Sequence, residues 1–437
     1  MNSTWKKTTW TAGTLALLAA GPSFAASLET IDWAAVPART LTLFYPGQST
    51  FQWLRGPAHA GAKQVESGLA CTTCHGGKEQ VMGNKLVKAG KLEPIAPAGK
   101  DGAKELKVQV AYDDENAYFR FQWKTNAAYP GEAYPMYRFD GKEWKLHGGP
   151  RLTKKIASGT EPAIYEDRLS IIIDDGKVPG FATQGFWQTC HDGERDAPRQ
   201  PTADEVKAHP FYQAIKKNDV RKYLPATRTD KNASWDKTVS VEEVAKQKAD
   251  GKFLELIQWR AHRSGPVGMA DDGYVLEWRN FDEGKNSFSS NLDATTKQPK
   301  FMYDQAKAGR KAFVIDDIRK TPTVLIREQN AVAFDPNAGW KDGDLLPQYV
   351  VSREDAKGSA ADNTNVKGVW KDGVWTVTWA RKLNLANPDD KALQEGKAYN
   401  MAFAVHDDNI TSRGHHISFP MTVGFGAKGA IEAKKLQ

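Results

Sequence analysis

The sequence predicts a mainly-β protein: one large antiparallel β-sandwich with a small helical segment at its N-terminus. Three observations point there. From about residue 103 apolar residues recur at alternate positions, as in Leu106–Tyr112 and Ala117–Trp123, the period of a strand with one buried face. Many such runs are separated by turn residues, in a chain carrying 37 Gly and 22 Pro. Fourteen Trp and thirteen Tyr supply the large rings that strands accommodate well.

Residues 1–26 have the order of a secretory signal peptide. Lys6 and Lys7 precede the apolar stretch Trp10–Ala20, then Gly21-Pro22 and the small residues up to Ala26. That apolar core is too short to span a bilayer, which takes about 20 residues. Cleavage is expected after Ala25 or Ala26, releasing the chain into the periplasm. No later run approaches membrane-spanning length, so no membrane span is expected in the mature chain. Residues 27–100 read as a small helical or irregular segment, closed by the Pro/Gly/Ala-rich stretch Leu92–Lys100.

Residues 101–437 form the expected sandwich domain. A hairpin turns at Asp113–Asn116 and another at Lys371-Asp372-Gly373. Further strands are expected at Arg168–Asp174, Leu254–Trp259, Tyr274–Trp278, Lys311–Ile315, Gln348–Ser352, Val366–Trp370, Val374–Ala380, Tyr399–His406 and His416–Val423. Helices are expected at Ala203–Lys217 and Val241–Lys248, from apolar spacing and acidic starts.

The chemistry centres on Cys71-Thr72-Thr73-Cys74-His75, the attachment signature of a c-type haem. Two thiols on one helical turn reach the two vinyl groups of one porphyrin, leaving His75 as proximal iron ligand. A zinc site would want a second Cys/His pair at similar spacing, and a thioredoxin-like pair a βαβ pattern. Neither is present. For the distal side of the iron the chain offers His59, on a Gly-Pro-Ala-His-Ala-Gly turn, and next Met82, whose seven-residue reach from His75 is tight.

Other residues are ambiguous. Cys190 and His191 end the turn Gln184–His191 like an attachment motif, but Trp187 stands where the first sulfur belongs. His406, His415 and His416 lie at the edges of the last strands, where alternation keeps all three from pointing one way. Arg260 and Arg263 flank His262 and would reach haem propionates, against a plainer reading as exposed strand-end arginines. Asp174-Asp175-Gly176, Asp271-Asp272-Gly273 and Asp407-Asp408-Asn409 read as turns rather than calcium sites. The net charge of +7, two units of it from Lys6 and Lys7, is spread without a basic block, so nucleic-acid binding is not expected. No nucleophile–base pair, paired carboxylate set or phosphate loop is visible.

From about residue 103 the chain resembles the haem-binding subunit family of ethylbenzene dehydrogenase and its dimethylsulfide-dehydrogenase and selenate-reductase relatives. The resemblance rests on Tyr165–Ile171, the Cys190-His191 turn, Leu256–Gly268, Ala270–Gly273 and the terminal hairpin from Phe403 through His415-His416 to Ser418. It implies a sandwich holding one b-type haem between two loops, ligated in the dehydrogenases by Met and Lys. The matching stretches here offer His191 with His415 or His416, and Cys190 permits a single thioether. The implied protein is an exported di-haem cytochrome passing single electrons. Its partner would be a molybdenum oxidoreductase or a membrane quinol-oxidising cytochrome. The alternatives are a di-haem peroxidase or small-oxyanion reductase with one open iron position, and a sensor-like sandwich whose only cofactor is the c-type haem.

Overall fold

The computed structural model describes residues 28–88, 90, 93, 99–125, 136–147, 166–189, 193–220, 222–281, 284–318, 323–384, 387–407 and 414–436. Its frame is a thirteen-stranded sheet, whose strands are β1 Ala38–Phe44, β2 Ala103–Tyr112, β3 Asn116–Lys124, β4 Arg168–Asp174, β5 Leu254–Arg260, β6 Gly273–Val275, β7 Arg279–Phe281, β8 Thr364–Lys371, β9 Val374–Lys382, β10 Lys397–His406, β11 His416–Ile417, β12 Met421–Phe425 and β13 Ile431–Lys435. Along the sheet the order is β8-β9-β3-β2-β1-β11-β10-β4-β5-β6-β7. β13 runs parallel to both β12 and β2, while β12 pairs with β10, so the sheet curls back on itself.

Curling places two layers face to face. Phe121 of β3 meets Phe403 of β10 with ring centroids 5.7 Å apart, although those strands are not neighbours in the sheet. Around them pack Leu106, Val108, Phe119, Ile171, Trp379 and Val405. Each such side chain contributes roughly 1.5–3 kcal/mol on burial. The mainly-β expectation holds, and both predicted hairpins form, β2 with β3 and β8 with β9.

Every residue of β4 is buried, which a one-faced strand cannot achieve. Leu169, Ile171 and Ile173 face the inner core. Ile172, with Ala402 and Ala404 of β10, faces a second apolar cluster that contains Phe51, Leu54, Val65, Cys71, Phe181 and Trp187. The CxxCH segment is therefore built onto the outer face of β4 and β10. It is also tied in through β1, which lies between β2 and β11 in the sheet.

The structure differs from expectation in several elements. β1, inside the segment read as helical or irregular, is a strand with its buried residues at Leu41, Leu43 and Phe44. Lys311–Ile315 is no strand: only Phe313 bridges, to Leu345, and Val314 and Ile315 are exposed. The expected helix Ala203–Lys217 is two short helices, Ala203–Ala208 and Pro210–Ala214. Pro210 lacks an N–H and pushes His209 out of helical geometry, to ψ 124°. The expected strand His416–Val423 breaks at Ser418-Phe419-Pro420 into β11 and β12. The leader, residues 1–26, and most of Leu92–Lys100 lie outside the described residues. Among the described residues no helix is long and apolar enough to cross a membrane.

Candidate haem site

Four short helices carry the motif: α1 Phe51–Arg55, α2 Ala62–Glu66, α3 Cys71–His75 and α4 Glu79–Leu86. Thr50 caps α1, its hydroxyl accepting the backbone N–H of Trp53 at 3.0 Å. Phe51 and Leu54 anchor that helix in the outer cluster. α3 is a single turn that buries Cys71 and exposes Cys74. Burial pushes the Cys71 thiol up to about 11, so it is held protonated.

The chain doubles back so that His59 faces His75. Their ring centroids lie 6.2 Å apart with planes inclined by 23°. With metal–nitrogen bonds of about 2.0–2.1 Å and roughly another ångström from nitrogen to ring centre, imidazoles on opposite sides of one metal are separated by about 6 Å. The spacing fits. The carbonyl oxygen of Leu54 lies 2.8 Å from Nδ1 of His59 and can only accept, so Nδ1 carries the proton and Nε2 keeps its lone pair. Desolvation, then the nearby His59 and Lys78, lowers the pKa of His75 and favours its neutral, ligating form. Met82, by contrast, packs its side chain against the apolar cluster of Phe44 and Val65.

Cys190 and His191 lie outside the described residues, but their flanks are placed. Trp187 is a core aromatic. Its indole donates to Oγ of Ser49 at 2.9 Å, and its ring sits 6.1 Å from both Phe44 and Phe419. Beyond the gap, the backbone carbonyl of Arg195 accepts from the hydroxyl of Thr50 at 2.6 Å. Both ends of the Cys190-His191 turn are thus fastened beside the CxxCH segment.

At the terminal hairpin His415 and His406 stack, with centroids 4.8 Å apart and planes inclined by 23°. His416 is buried and gives Nε2–H to the carbonyl of Asp101 at 2.8 Å. Next to them Asp407 pairs with Lys104 at 2.5 Å. Sequence reasoning singled out His415 and His416 but not the contact of His415 with His406, which depends on the unpredictable path of the hairpin. Arg260 and Arg263, read as exposed strand ends, are buried instead. Arg263 pairs with Glu166, and Arg260 with Asp271 at 2.6 Å. Alternation alone could not reveal this, because their acidic partners come from other parts of the chain.

Comparison with known proteins agrees with this frame. Residues 30–418 match the family described as ethylbenzene dehydrogenase. The chain is similar to a protein named cytochrome c-552 from Stutzerimonas stutzeri, 26% identical over 434 residues, covering 98% of this chain and 99% of that one. It is also similar to a cytochrome c-551 from Rhodocyclus tenuis, 27% identical over 168 residues, 38% of this chain and 58% of the other. With nearly all of its sheet inside the matched range, the chain belongs to the ethylbenzene dehydrogenase family.

Proposed function

We propose that the protein is an exported di-haem cytochrome that carries single electrons between a redox enzyme and a respiratory partner. The facing pair His59 and His75, at 6.2 Å beside Cys71 and Cys74, is the observation that carries this reading. Cys71 and Cys74 hold the porphyrin covalently, His75 and His59 ligate its iron, and the Leu54 carbonyl fixes the His59 tautomer. Between two imidazoles the iron supplies one-electron ferric–ferrous chemistry with no vacant position for substrate. The names of the relatives, both cytochromes c, support haem as the cofactor.

A second haem, b-type or joined by one thioether to Cys190, is held between the His191 turn and the terminal hairpin. Of the two hairpin candidates, His415 is the ligand, because His416 commits Nε2 to Asp101. The leader-like order of residues 1–26 supports a periplasmic location, and the partner is a molybdenum oxidoreductase or a membrane quinol-oxidising cytochrome.

The test is a pyridine haemochrome assay on the exported protein, with acid-acetone extraction. Two haems per chain, at least one of them resisting extraction, are expected. A single haem per chain eliminates the second centre, and fully extractable haem eliminates the c-type reading.

A further inference from the structure

Beside the imidazole pair are donors with nothing to bind. Both Nη atoms of Arg195 and the indole Nε1 of Trp53 are closed off from solvent and have no hydrogen-bond acceptor among the described residues. They are adjacent: the guanidinium carbon of Arg195 lies 5.5 Å from the ring centre of Trp53. The Trp53 ring in turn lies 5.1 Å from that of His59. A cation and a neutral N–H donor therefore sit one layer behind the distal histidine.

Their placement is enforced by one residue. The Thr50 hydroxyl donates to the backbone carbonyl of Arg195 at 2.6 Å and accepts the backbone N–H of Trp53 at 3.0 Å. The loop carrying Arg195 is thereby fastened to the helix carrying Trp53. Enclosing a guanidinium head without an acceptor is costly, and an unpaired indole N–H adds to the penalty. Arrangements of this kind persist when an anion completes them. A carboxylate suits both groups: a guanidinium binds it through two parallel N–H bonds, and an indole N–H only donates.

We propose that Arg195 and Trp53 form the anchor for a propionate carboxylate of the haem held at Cys71, Cys74 and His75. The proposal rests on the haem reading above and adds the residues that bind the acidic edge of the ring. Two thioethers already fix the ring's rotation about the His75 axis, so an anchor elsewhere on the rim meets the same substituent in every molecule. Arg195 also contributes a fixed positive charge near the iron, which disfavours the more positive ferric state.

Arg195→Gln, Arg195→Lys and Trp53→Phe are made in the full-length exported protein, with two readouts. These are the midpoint potential by spectroelectrochemistry and the propionate bending band in resonance Raman. A pyridine haemochrome assay of the unmodified protein comes first: absence of covalent haem there sinks the cytochrome reading itself, separately from the anchor. With haem present, Arg195→Gln is expected to lower the potential and shift the band, and Arg195→Lys to recover most of the potential. Trp53→Phe is expected to shift the band with a smaller change in potential. Because Trp53→Phe keeps an aromatic ring at that place while removing the N–H, it reports even where Arg195→Gln fails to mature. An unmoved band in Trp53→Phe, or an unchanged potential in Arg195→Gln, overturns the anchor.

Discussion

Nε2 of His416 donates to the carbonyl oxygen of Asp101 across 2.8 Å, and this bond decides what the terminal hairpin can offer a metal. The nitrogen left to His416 is Nδ1, the one nearer its own backbone, buried and without a hydrogen-bond partner among the described residues. His415 is only half-buried and stands ring against ring with His406. If the proposed second haem is held there, His415→Ala is expected to abolish its low-spin signal, while His416→Ala keeps it. The His416 change should instead lower stability by about 1–3 kcal/mol, since the Asp101 carbonyl loses its donor. Optical and paramagnetic resonance spectra, read beside denaturant titrations, separate the two outcomes.

Replacing His59 should convert a closed iron into an open one. His59→Ala is expected to turn the proposed c-type centre high-spin and let its reduced form bind carbon monoxide, while the unmodified protein is expected to resist it. Met82→Ala should leave that spectrum unchanged and cost about 1–3 kcal/mol, because its side chain fills space in the outer apolar cluster. A carbon monoxide difference spectrum of each variant is the measurement. Binding by Met82→Ala and not by His59→Ala would reverse the assignment of the distal ligand.

Period-two runs made β2, β3, β9 and β10 legible in the sequence, because each presents alternating residues to one core. β1 was hidden for a specific reason: its sequence, ARTLTLF, is short and lies between a leader and a helical motif. It becomes a strand through backbone pairing with β2, which no local signal announces. Cys71, Cys74 and His75 stand out in the sequence because the chemistry proposed for them is written in their spacing alone. The facing of His59 was only suggested, since it depends on how α2 turns the chain between them. Arg195 was not visible at all. Its backbone carbonyl is held by Thr50, far away in sequence, and a lone arginine in a polar loop carries no local mark.

Buried acids tilt the pH dependence of stability in a way that one substitution should reveal. The carboxylates of Glu255, Asp272 and Asp390 approach within 4.8 Å of one another. Desolvation pushes Glu255 up to about 7 against the opposing pull of Arg381, and the charge of Asp390 adds to the rise. A carboxyl whose folded pKa exceeds its unfolded value of about 4.5 gives stability that is complete below that value. The contribution disappears as pH climbs through 7. His262 acts oppositely: burial pushes it down to about 4, so its stability is complete above about 6.5 and is lost as pH falls through 4. Glu255→Gln removes only the first tilt. Its stability should therefore rise with pH between about 4.5 and 7 more steeply than that of the unmodified protein. The difference approaches roughly 1.4 kcal/mol for each unit by which the folded and unfolded pKa values of Glu255 differ. Urea titrations at several pH values test this, and parallel curves would remove Glu255 as the cause.

Trp187 occupies the place of a first cysteine because that place is needed for packing. Its ring joins Phe44 of β1 to Phe419 of the terminal hairpin, and its indole reaches Ser49 at 2.9 Å, just ahead of α1. One side chain thus ties the early strand, the turn preceding Cys190 and the hairpin that carries His415. Trp187→Phe should retain the stack and lose about 1 kcal/mol with the indole bond. Trp187→Ala should cost about 3–5 kcal/mol through the cavity it leaves. If this wall also positions the second centre, Trp187→Ala should lose the second haem while the covalent one at Cys71 and Cys74 remains. Denaturation curves give the energies, and haem stoichiometry after acid-acetone extraction gives the selectivity. Equal loss of both haems would show that Trp187 supports the whole fold rather than the junction at its end.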